Sequence, residues 1–233
     1  MSERFDDLTI VIPTLNEEAN IGQLIEKLLS LYVKATILVV DDASEDRTAE
    51  FVDAISKKQK NVKLISRKGK QRGLSASIID GLKSARTEFV VVMDGDGQHP
   101  AGTVFDLVHM LRKGCIIAVA CRSSVPDWAF HRRIMSLGAD LLGRLRLLTG
   151  NSPACSDLLS GFFGVERDFA LEIYEKNEKR FVGEGYKFLF DLLKCSPKST
   201  KVCEIDYIFA SRKRGASKIG SRQCLAFLKS ILS

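Results

Sequence analysis

The chain has 233 residues, of which 45% are hydrophobic and 27% are charged, so it can bury one large core but is too short for three ordinary domains. Its 35 lysines and arginines exceed its 29 aspartates and glutamates, and the formal net charge of +6 favours anionic partners such as nucleotides, phospholipid surfaces or nucleic acid. The six cysteines show neither a C-x-x-C pair nor metal-finger spacing, which argues against a zinc or redox site and predicts reduced thiols.

Short apolar runs alternate with longer segments of helical period through the first half of the chain. The runs are continuous rather than alternating, as expected for strands buried on both faces, and they cover residues 8–13, 36–41, 62–66, 89–94 and 115–121. The predicted helices between them cover residues 17–32, 44–58, 72–86 and 100–114. Asn16 and Ser44 are predicted to cap the first two of these helices. This order predicts an α/β fold with a Rossmann-like, mainly parallel sheet flanked by helices.

The pattern changes after residue 122, where a loop leads into a basic amphipathic segment that ends near residue 157. A strand-like run follows at residues 201–210, and a basic, amphipathic tail closes the chain. We expect one catalytic domain over residues 1–220 and an amphipathic C-terminal tail over residues 221–233. The apolar stripe of this tail either contacts a membrane or packs against the domain.

The fourth predicted strand, within the sequence FVVVMDGDGQHP, ends in two carboxylates, Asp94 and Asp96. Ligands of open parallel sheets bind beyond the carboxyl ends of the strands, so these side chains should face a site. Carboxylates separated by one residue can share a hard divalent cation, with Gln98 as a further oxygen ligand and positions left for phosphate oxygens. The alternative is that Asp-Gly-Asp-Gly is simply a turn.

Asp41 and Asp42 directly follow the apolar residues ILVV of the second predicted strand. A carboxylate at this position commonly accepts hydrogen bonds from a ribose or base, and we assign this role to Asp42. The alternative is a helix-capping cluster with Ser44 and Asp46. The sequence contains no G-x-G-x-x-G after the first strand and no P-loop, so a metal and side chains must neutralise any diphosphate.

Six motifs occur in order between residues 8 and 220: VIPTLNEEANI, VVDDASEDRTAE, RGLSASIIDGL, MDGDGQHP, DLLSGFFGVERD and SRKRGASKIG. Together they resemble the inverting family-2 glycosyltransferases, most closely the polyprenyl-phosphate mannosyltransferases that include the dolichol-phosphate mannose synthases. The resemblance implies a GT-A fold, a GDP-mannose donor and a polyprenyl (dolichyl) phosphate acceptor. It also implies Mg²⁺ or Mn²⁺ as the cofactor.

The resemblance implies a role for each matching site residue. Those expected at the donor are Pro13, Glu17 and Asp42 at the guanosine, Asp94, Asp96 and Gln98 at the metal, and Arg122, Arg212, Ser217 and Lys218 at the phosphates or sugar. Those expected to act in catalysis are Asp94, Asp96, Arg122, Arg212 and Lys218. Arg132 and Arg133 are candidates for the acceptor phosphate, with snorkelling at a helix surface as the alternative. His99 and His131 are either bases for another acceptor or structural.

A lipid phosphate is already an anion, so it can attack the sugar without a general base. The first ten residues lack the apolar core of a signal peptide, and no apolar run approaches the ~18–20 residues that span a bilayer. We therefore expect a peripheral protein on the cytoplasmic face of a membrane, the endoplasmic reticulum if eukaryotic or the plasma membrane if prokaryotic. Its contact could come from a surface helix, from a membrane-anchoring subunit, or from transmembrane helices that follow this sequence.

Three other functions compete with mannosyl transfer. A glucosyl- or N-acetylglucosaminyltransferase that uses a UDP-sugar belongs to the same class. A sugar nucleotidyltransferase also pairs aspartates with a nucleotide fold, but the missing glycine-rich phosphate loop argues against it. Net charge alone would allow a nucleic-acid-binding module, yet the sequence lacks interleaved aromatic residues and any recognised binding motif, so no nucleic-acid partner is expected.

Overall fold

The computed structural model describes residues 4–124, 141–183, 187–208 and 229–231. The strands are β1 (Leu8–Thr14), β2 (Thr36–Asp41), β3 (Val62–Ser66), β4 (Phe89–Val92), β5 (Ile117–Ser124), β6 (Phe163–Glu166) and β7 (Val202–Ile208). The helices are α1 (Ile21–Leu31), α2 (Thr48–Ser56), α3 (Leu74–Ser84), α4 (Thr103–Arg112), α5 (141–149), α6 (Arg167–Lys176) and α7 (Phe188–Cys195).

Within the described residues, seven strands form one sheet in the order β3-β2-β1-β4-β6-β5-β7. Strands β1 to β4 pair in parallel, as do β5 and β7, whereas β6 runs antiparallel between β4 and β5. Helices α1, α2 and α4 cover one face of the sheet, and α3, α5, α6 and α7 contribute to the core on the other. This confirms the predicted mainly parallel sheet flanked by helices.

The predicted strands and helices of the first half are all present. Their buried residues form continuous apolar runs in the strands and repeat at spacings of three and four in the helices. In α1, for example, the buried side chains are Ile21, Leu24, Ile25 and Leu28, at spacings of three and four. The strand predicted near the end of the chain is β7. Sequence analysis assigned no strand to the run that forms β6, which is only four residues long.

A disulfide joins Cys115, just before β5, to Cys203 in β7, with 6.0 Å between their Cα atoms. The prediction of reduced thiols is therefore wrong for this pair. Among the other cysteines that the structure describes, Cys121, Cys155 and Cys195 are free, as predicted. The two cysteines are 88 residues apart in sequence and meet because β5 and β7 are neighbouring strands, so the sequence spacing carried no signal of the pair.

The described part of the C-terminal tail packs against α7. Ser230 is buried, its hydroxyl donates to Asp191, and its carbonyl accepts a 2.7 Å hydrogen bond from Lys194. Lys194 and Asp191 also form a buried ion pair of 2.9 Å. At residues 229–231 the tail thus contacts the domain. Among the described residues, no helix combines the length and the apolarity needed to cross a bilayer.

Candidate active site

The predicted site residues of the first four strands meet at the carboxyl edge of the sheet. Thr14, the last residue of β1, lies beside Asp41, the last residue of β2, and β4 ends next to β1 in the register Val11–Val92. Beyond Val11 the pairing with β4 has ended. Pro13 lies two residues beyond Val11, so its missing N–H removes no hydrogen bond to β4. A proline is therefore tolerated in this central strand.

Asp94 and Asp96 follow β4 in a tight turn over the end of β1. Asp96 accepts a 3.0 Å hydrogen bond from the backbone N–H of Gln98, and Gly97 between them has a φ of +75°. A Cβ on Gly95 would lie 2.9 Å from the Thr14 side chain, so the turn needs glycine there. Asp-Gly-Asp-Gly therefore does form a turn, as in the alternative interpretation. This turn places the Asp94 side chain, which is 38% exposed, at the edge of the sheet.

His99 supports this turn from below. Its ring is buried, stacks on Phe162 at a centroid distance of 4.7 Å, and accepts a 3.0 Å hydrogen bond from the backbone N–H of Asp94 through Nδ1. Burial lowers the pKa of His99 to about 4 in spite of the nearby negative charge of Asp96. A neutral ring with Nδ1 already occupied is suited to a structural role, the second of the two alternatives predicted for this residue.

Arg122, at the end of β5, forms a bidentate ion pair with Asp157. Its Nε and Nη2 donate to the two carboxylate oxygens at 2.7 and 2.9 Å, and both side chains are largely buried. Burial raises the pKa of Asp157, but the hydrogen bonds from Arg122 outweigh this and hold the pKa below its ordinary value. Sequence analysis placed Arg122 near the donor phosphates but gave Asp157 no role, although the residue begins a motif used for the resemblance.

The segment after Asp157 lies directly against the Asp94 carboxylate. A Cβ on Gly161 would lie 3.3 Å from the nearer Asp94 oxygen, so a larger residue would crowd it. Lys187, at the start of α7, donates a 2.6 Å hydrogen bond to the Leu159 carbonyl. Burial lowers the pKa of Lys187 to about 7, with Arg122 acting in the same direction. The sequence had given no signal of Lys187, whose charge interacts with that of Asp94.

Glu17 brings the first loop next to the two aspartates. Its Cγ lies 3.7 Å from the position that a Cβ on Gly95 would occupy, and its carboxylate accepts a 3.1 Å hydrogen bond from Asn20. The backbone N–H of Glu17 donates to Thr48 at 2.8 Å. The geometry thus places Glu17 between the loop after β2 and the turn after β4.

Asp42 is buried and held from two sides. One carboxylate oxygen accepts from Arg67, and the other accepts a 2.7 Å hydrogen bond from the backbone N–H of Gly73 at the start of α3. Arg67 is itself buried and donates to Asp80 at 2.9 Å. The Asp42 side chain therefore has a fixed orientation, and a ligand at this carboxylate would use its remaining lone pairs.

The helix caps predicted from sequence are wrong at two positions. Asn16 does not cap α1, and instead its side chain accepts a 2.8 Å hydrogen bond from the backbone of Glu45 in the neighbouring loop. The Ser44 hydroxyl accepts from the backbone N–H of Asn16, also at 2.8 Å. The N-cap residue of α2 is Arg47, and Asp46 just before it accepts a 2.9 Å hydrogen bond from the Thr48 N–H. Both predicted caps thus join two loops.

The remaining predicted site residues lie outside the described residues; they are Arg132 and Arg133, His131, and Arg212, Ser217 and Lys218. Within residues 4–124, 141–183, 187–208 and 229–231, no three or more His, Cys, Asp or Glu side chains form a metal-binding group. Asp94 and Asp96 could supply two oxygen ligands, which leaves the other positions of a divalent cation for Gln98 and for a bound diphosphate.

Sequence comparison gives a match to the family Glycosyl transferase family 2 over residues 9–170. The dolichol-phosphate mannosyltransferase of Pyrococcus furiosus is 34% identical over 96% of this chain, which spans 62% of that relative's length. The dolichol-phosphate mannosyltransferases of Mycosarcoma maydis and Saccharomyces cerevisiae are 30% and 27% identical over 96% and 97% of the chain, and the chain covers 77% and 85% of them.

Solved structures show the same fold at low sequence identity. One is glucosyl-3-phosphoglycerate synthase from Mycobacterium tuberculosis in complex with Mn²⁺, UDP-glucose and phosphoglyceric acid, with a TM-score of 0.66 at 20% identity. The match covers 98% of this chain and 79% of the synthase chain. Mannosyl-3-phosphoglycerate synthase from Rubrobacter xylanophilus has a TM-score of 0.66 at 16% identity, and the match covers 97% of this chain and 72% of that synthase chain. The fold is thus the GT-A fold, as expected.

Proposed function

The chain belongs to glycosyl transferase family 2, and from this premise we propose that it is a metal-dependent, inverting mannosyltransferase acting from GDP-mannose onto a polyprenyl phosphate such as dolichyl phosphate. One observation carries the proposal: Glu17, Asp94 and the Arg122–Asp157 pair meet at the carboxyl edge of a GT-A sheet. The names of the three mannosyltransferase relatives support the choice of mannose and of dolichyl phosphate.

The residues present suit a divalent cation. Asp94, Asp96 and Gln98 offer hard oxygen ligands, and Gly161 leaves the Asp94 carboxylate the space that a Cβ would fill. Bound Mg²⁺ or Mn²⁺ would supply charge neutralisation to the diphosphate leaving group. The M. tuberculosis synthase binds Mn²⁺ together with its nucleotide sugar, which agrees with this choice of cofactor.

The chain's own residues orient the two substrates. Glu17 and Asp42, with Pro13 behind them, would bind the nucleoside. Arg122, together with Lys187 when it is protonated, places positive charge beside Asp94, where the donor phosphates would lie. The acceptor phosphate needs no general base because it is already ionised, which agrees with a buried, neutral His99. Arg132, Arg133, Arg212, Ser217 and Lys218 would complete the phosphate contacts.

Helix α5 supports contact with a membrane surface, where a polyprenyl acceptor resides. Gly143 and Leu147 face the core, and the outer side carries four exposed leucines, Leu141, Leu142, Leu145 and Leu148. An exposed apolar stripe of this kind is typical of a helix that lies in the membrane interface. We propose that the protein binds the cytoplasmic face of a membrane, alone or with an anchoring subunit.

The test is transfer of labelled mannose from GDP-mannose to a short polyprenyl phosphate, with Mg²⁺ or Mn²⁺ and then with a chelator. Asp96→Ala should lower the rate by roughly a thousandfold, because charge stabilisation at the leaving group is lost. Asp53→Ala, on the exposed face of α2, is the control and should leave the rate unchanged. Transfer that persists in chelator would refute metal dependence, and transfer from UDP-glucose alone would reassign the donor to the alternative sugar.

A further inference from the structure

The loops that follow β1 and β2 are joined by hydrogen bonds between side chains of one loop and backbone amides of the other. We propose that Thr48, oriented by Asp46, is a positioning residue for Glu17 and thereby sets the affinity of the site for the nucleoside part of its donor. This inference rests on the proposed function. It adds two residues to which sequence analysis gave no part in donor binding.

Three consecutive amides of the first loop donate to side chains of the second loop or of Thr48, the first residue of α2. The pairs are Asn16 to Ser44 Oγ at 2.8 Å, Glu17 to Thr48 Oγ1 at 2.8 Å, and Glu18 to Asp46 Oδ2 at 3.1 Å. Two amides of the second loop donate in the opposite direction, Glu45 to Asn16 Oδ1 at 2.8 Å and Arg47 to Glu18 Oε2 at 2.9 Å. The spacing of the loops is therefore set by the lengths of these side chains.

Thr48 is the buried member of this set, with 0% exposure. Its hydroxyl donates to Asp46 Oδ1 at 2.5 Å, so a lone pair of the same oxygen is left to accept the Glu17 N–H. Asp46 also accepts the backbone N–H of Thr48, which holds the two residues together. The carboxylate thus fixes the direction of the hydroxyl, and the hydroxyl fixes the backbone of Glu17.

Each of the two loops contains a residue with a positive φ, and the hydrogen bonds between the loops help to hold these conformations. Asn16 has a φ of +54° and Ala43 a φ of +61°, in a region that L-residues seldom adopt. These residues directly precede Glu17 and follow Asp42, the two carboxylates proposed at the nucleoside. If the link at Thr48 is lost, relaxation of either loop would move one carboxylate relative to the other.

The opposite end of β1 offers a matched control. Thr9 is also 0% exposed, and its hydroxyl forms a 2.6 Å hydrogen bond with that of Thr87. Thr9→Val and Thr48→Val each replace a buried hydroxyl with a methyl group of similar size. Thr9→Val removes one hydrogen bond of the hydroxyl and Thr48→Val removes two, so both should lower the melting temperature, but of the two residues only Thr48 contacts the backbone at the proposed site.

The experiment measures GDP binding in Mg²⁺ by calorimetry, together with KM and kcat for GDP-mannose and the melting temperature. Thr48→Val should raise the GDP dissociation constant and the donor KM about tenfold while kcat changes less than about twofold. Thr48→Ser keeps the hydroxyl and should restore both values, and Thr9→Val should leave both unchanged. Asp46→Asn keeps the threonine and should weaken GDP binding in the same direction, which covers the case in which Thr48→Val does not fold.

Unchanged GDP binding in Asp46→Asn and in folded Thr48→Val would overturn the inference and leave the proposed function standing. An equal loss of binding in Thr9→Val would also overturn it, since the effect would then follow stability rather than position. If the wild type binds neither GDP nor UDP, the proposed function fails and the inference fails with it.

Discussion

The loops around β1 and β2 and the helix α5 are held in opposite ways. In the loops, the amides of residues 16–18 all donate to side chains of the neighbouring loop or of Thr48 at the start of α2, and Asp42 is fixed by the buried Arg67. On α5, Leu141, Leu142, Leu145 and Leu148 are 46–70% exposed, and only the inner face contacts the core, through Gly143 and Leu147.

The difference corresponds to the two kinds of ligand proposed for this chain. A nucleotide is polar and has one shape, so a site for it gains from side chains that are held in place before binding. A lipid surface is fluid and offers no fixed partner atoms, so it is met by exposed apolar area that needs no exact register. The two regions should therefore respond differently to substitution. In the polar region, the loops around β1 and β2 with the adjoining aspartates, the loss or gain of a single atom should change activity. On the leucine face, the four exposed leucines of α5, membrane binding should follow the total exposed apolar area.

Among the variants that test this comparison, the largest expected effect comes from the ion pair of Arg122 and Asp157, whose guanidinium interacts with Asp94 in the polar region. Asp157→Asn should lower the transfer rate roughly a hundredfold, because the guanidinium loses its bidentate partner and the segment leading to Gly161 loses its anchor. The matched control is Asp7→Asn, which breaks a bidentate pair with Arg112 of 2.7 and 2.9 Å at the opposite edge of the sheet. Equal rates in the two variants would show that the pair serves stability alone.

The leucine face should respond to loss of apolar area. Leu145→Gln combined with Leu148→Gln should weaken binding to anionic lipid vesicles about thirtyfold, with little change in melting temperature, because both side chains are exposed in the free protein. Leu31→Gln, an exposed leucine at the end of α1, is the control for lost apolar surface. Vesicle co-sedimentation checks this, and equal binding by both variants would remove α5 from the membrane contact.

A substitution at Gly161 tests whether activity in the polar region depends on the exact position of the Asp94 carboxylate. Gly161→Ala places a methyl group 3.3 Å from the Asp94 carboxylate and should lower the rate about tenfold, since the carboxylate must shift by a few tenths of an ångström. Gly102→Ala is the control, because a Cβ there meets nothing within 4 Å. An unchanged rate and metal affinity in Gly161→Ala would mean that Asp94 tolerates this displacement.

The smallest effect concerns pH and stability. The pKa of His99 is about 4 in the folded chain and near its ordinary 6.5 in the unfolded chain, so the unfolded chain binds the proton more readily between these values. Stability is therefore complete above pH 6.5 and falls as the pH is lowered toward 4. His99→Asn keeps an acceptor for the Asp94 N–H, and its melting temperature should fall between pH 7.5 and pH 5 by roughly 5 °C less than that of the wild type. Parallel pH profiles would contradict this.

The sheet edge could be predicted from sequence because its signals are local: an apolar run ends and carboxylates follow at once, as at Asp41 and Asp94. The partners of these residues could not, because they come from distant positions. Asp157 meets Arg122 across 35 residues, and Arg67 meets Asp42 across 25. For the same reason Asn16 and Ser44 have the residue types of helix caps but act between loops. Strand β6 escaped prediction because four residues become a strand only between β4 and β5.

The position of β6 also constrains how the protein can be made. Strands β4 and β5 never pair with each other, so a nascent chain that has emerged only as far as residue 124 leaves an unpaired edge on β4. Such an edge is open to pairing with other chains until residues 163–166 arrive and close the gap. During translation the half that carries the paired aspartates therefore depends on the later half to complete its sheet, and separate expression of the first five strands should yield an aggregation-prone fragment.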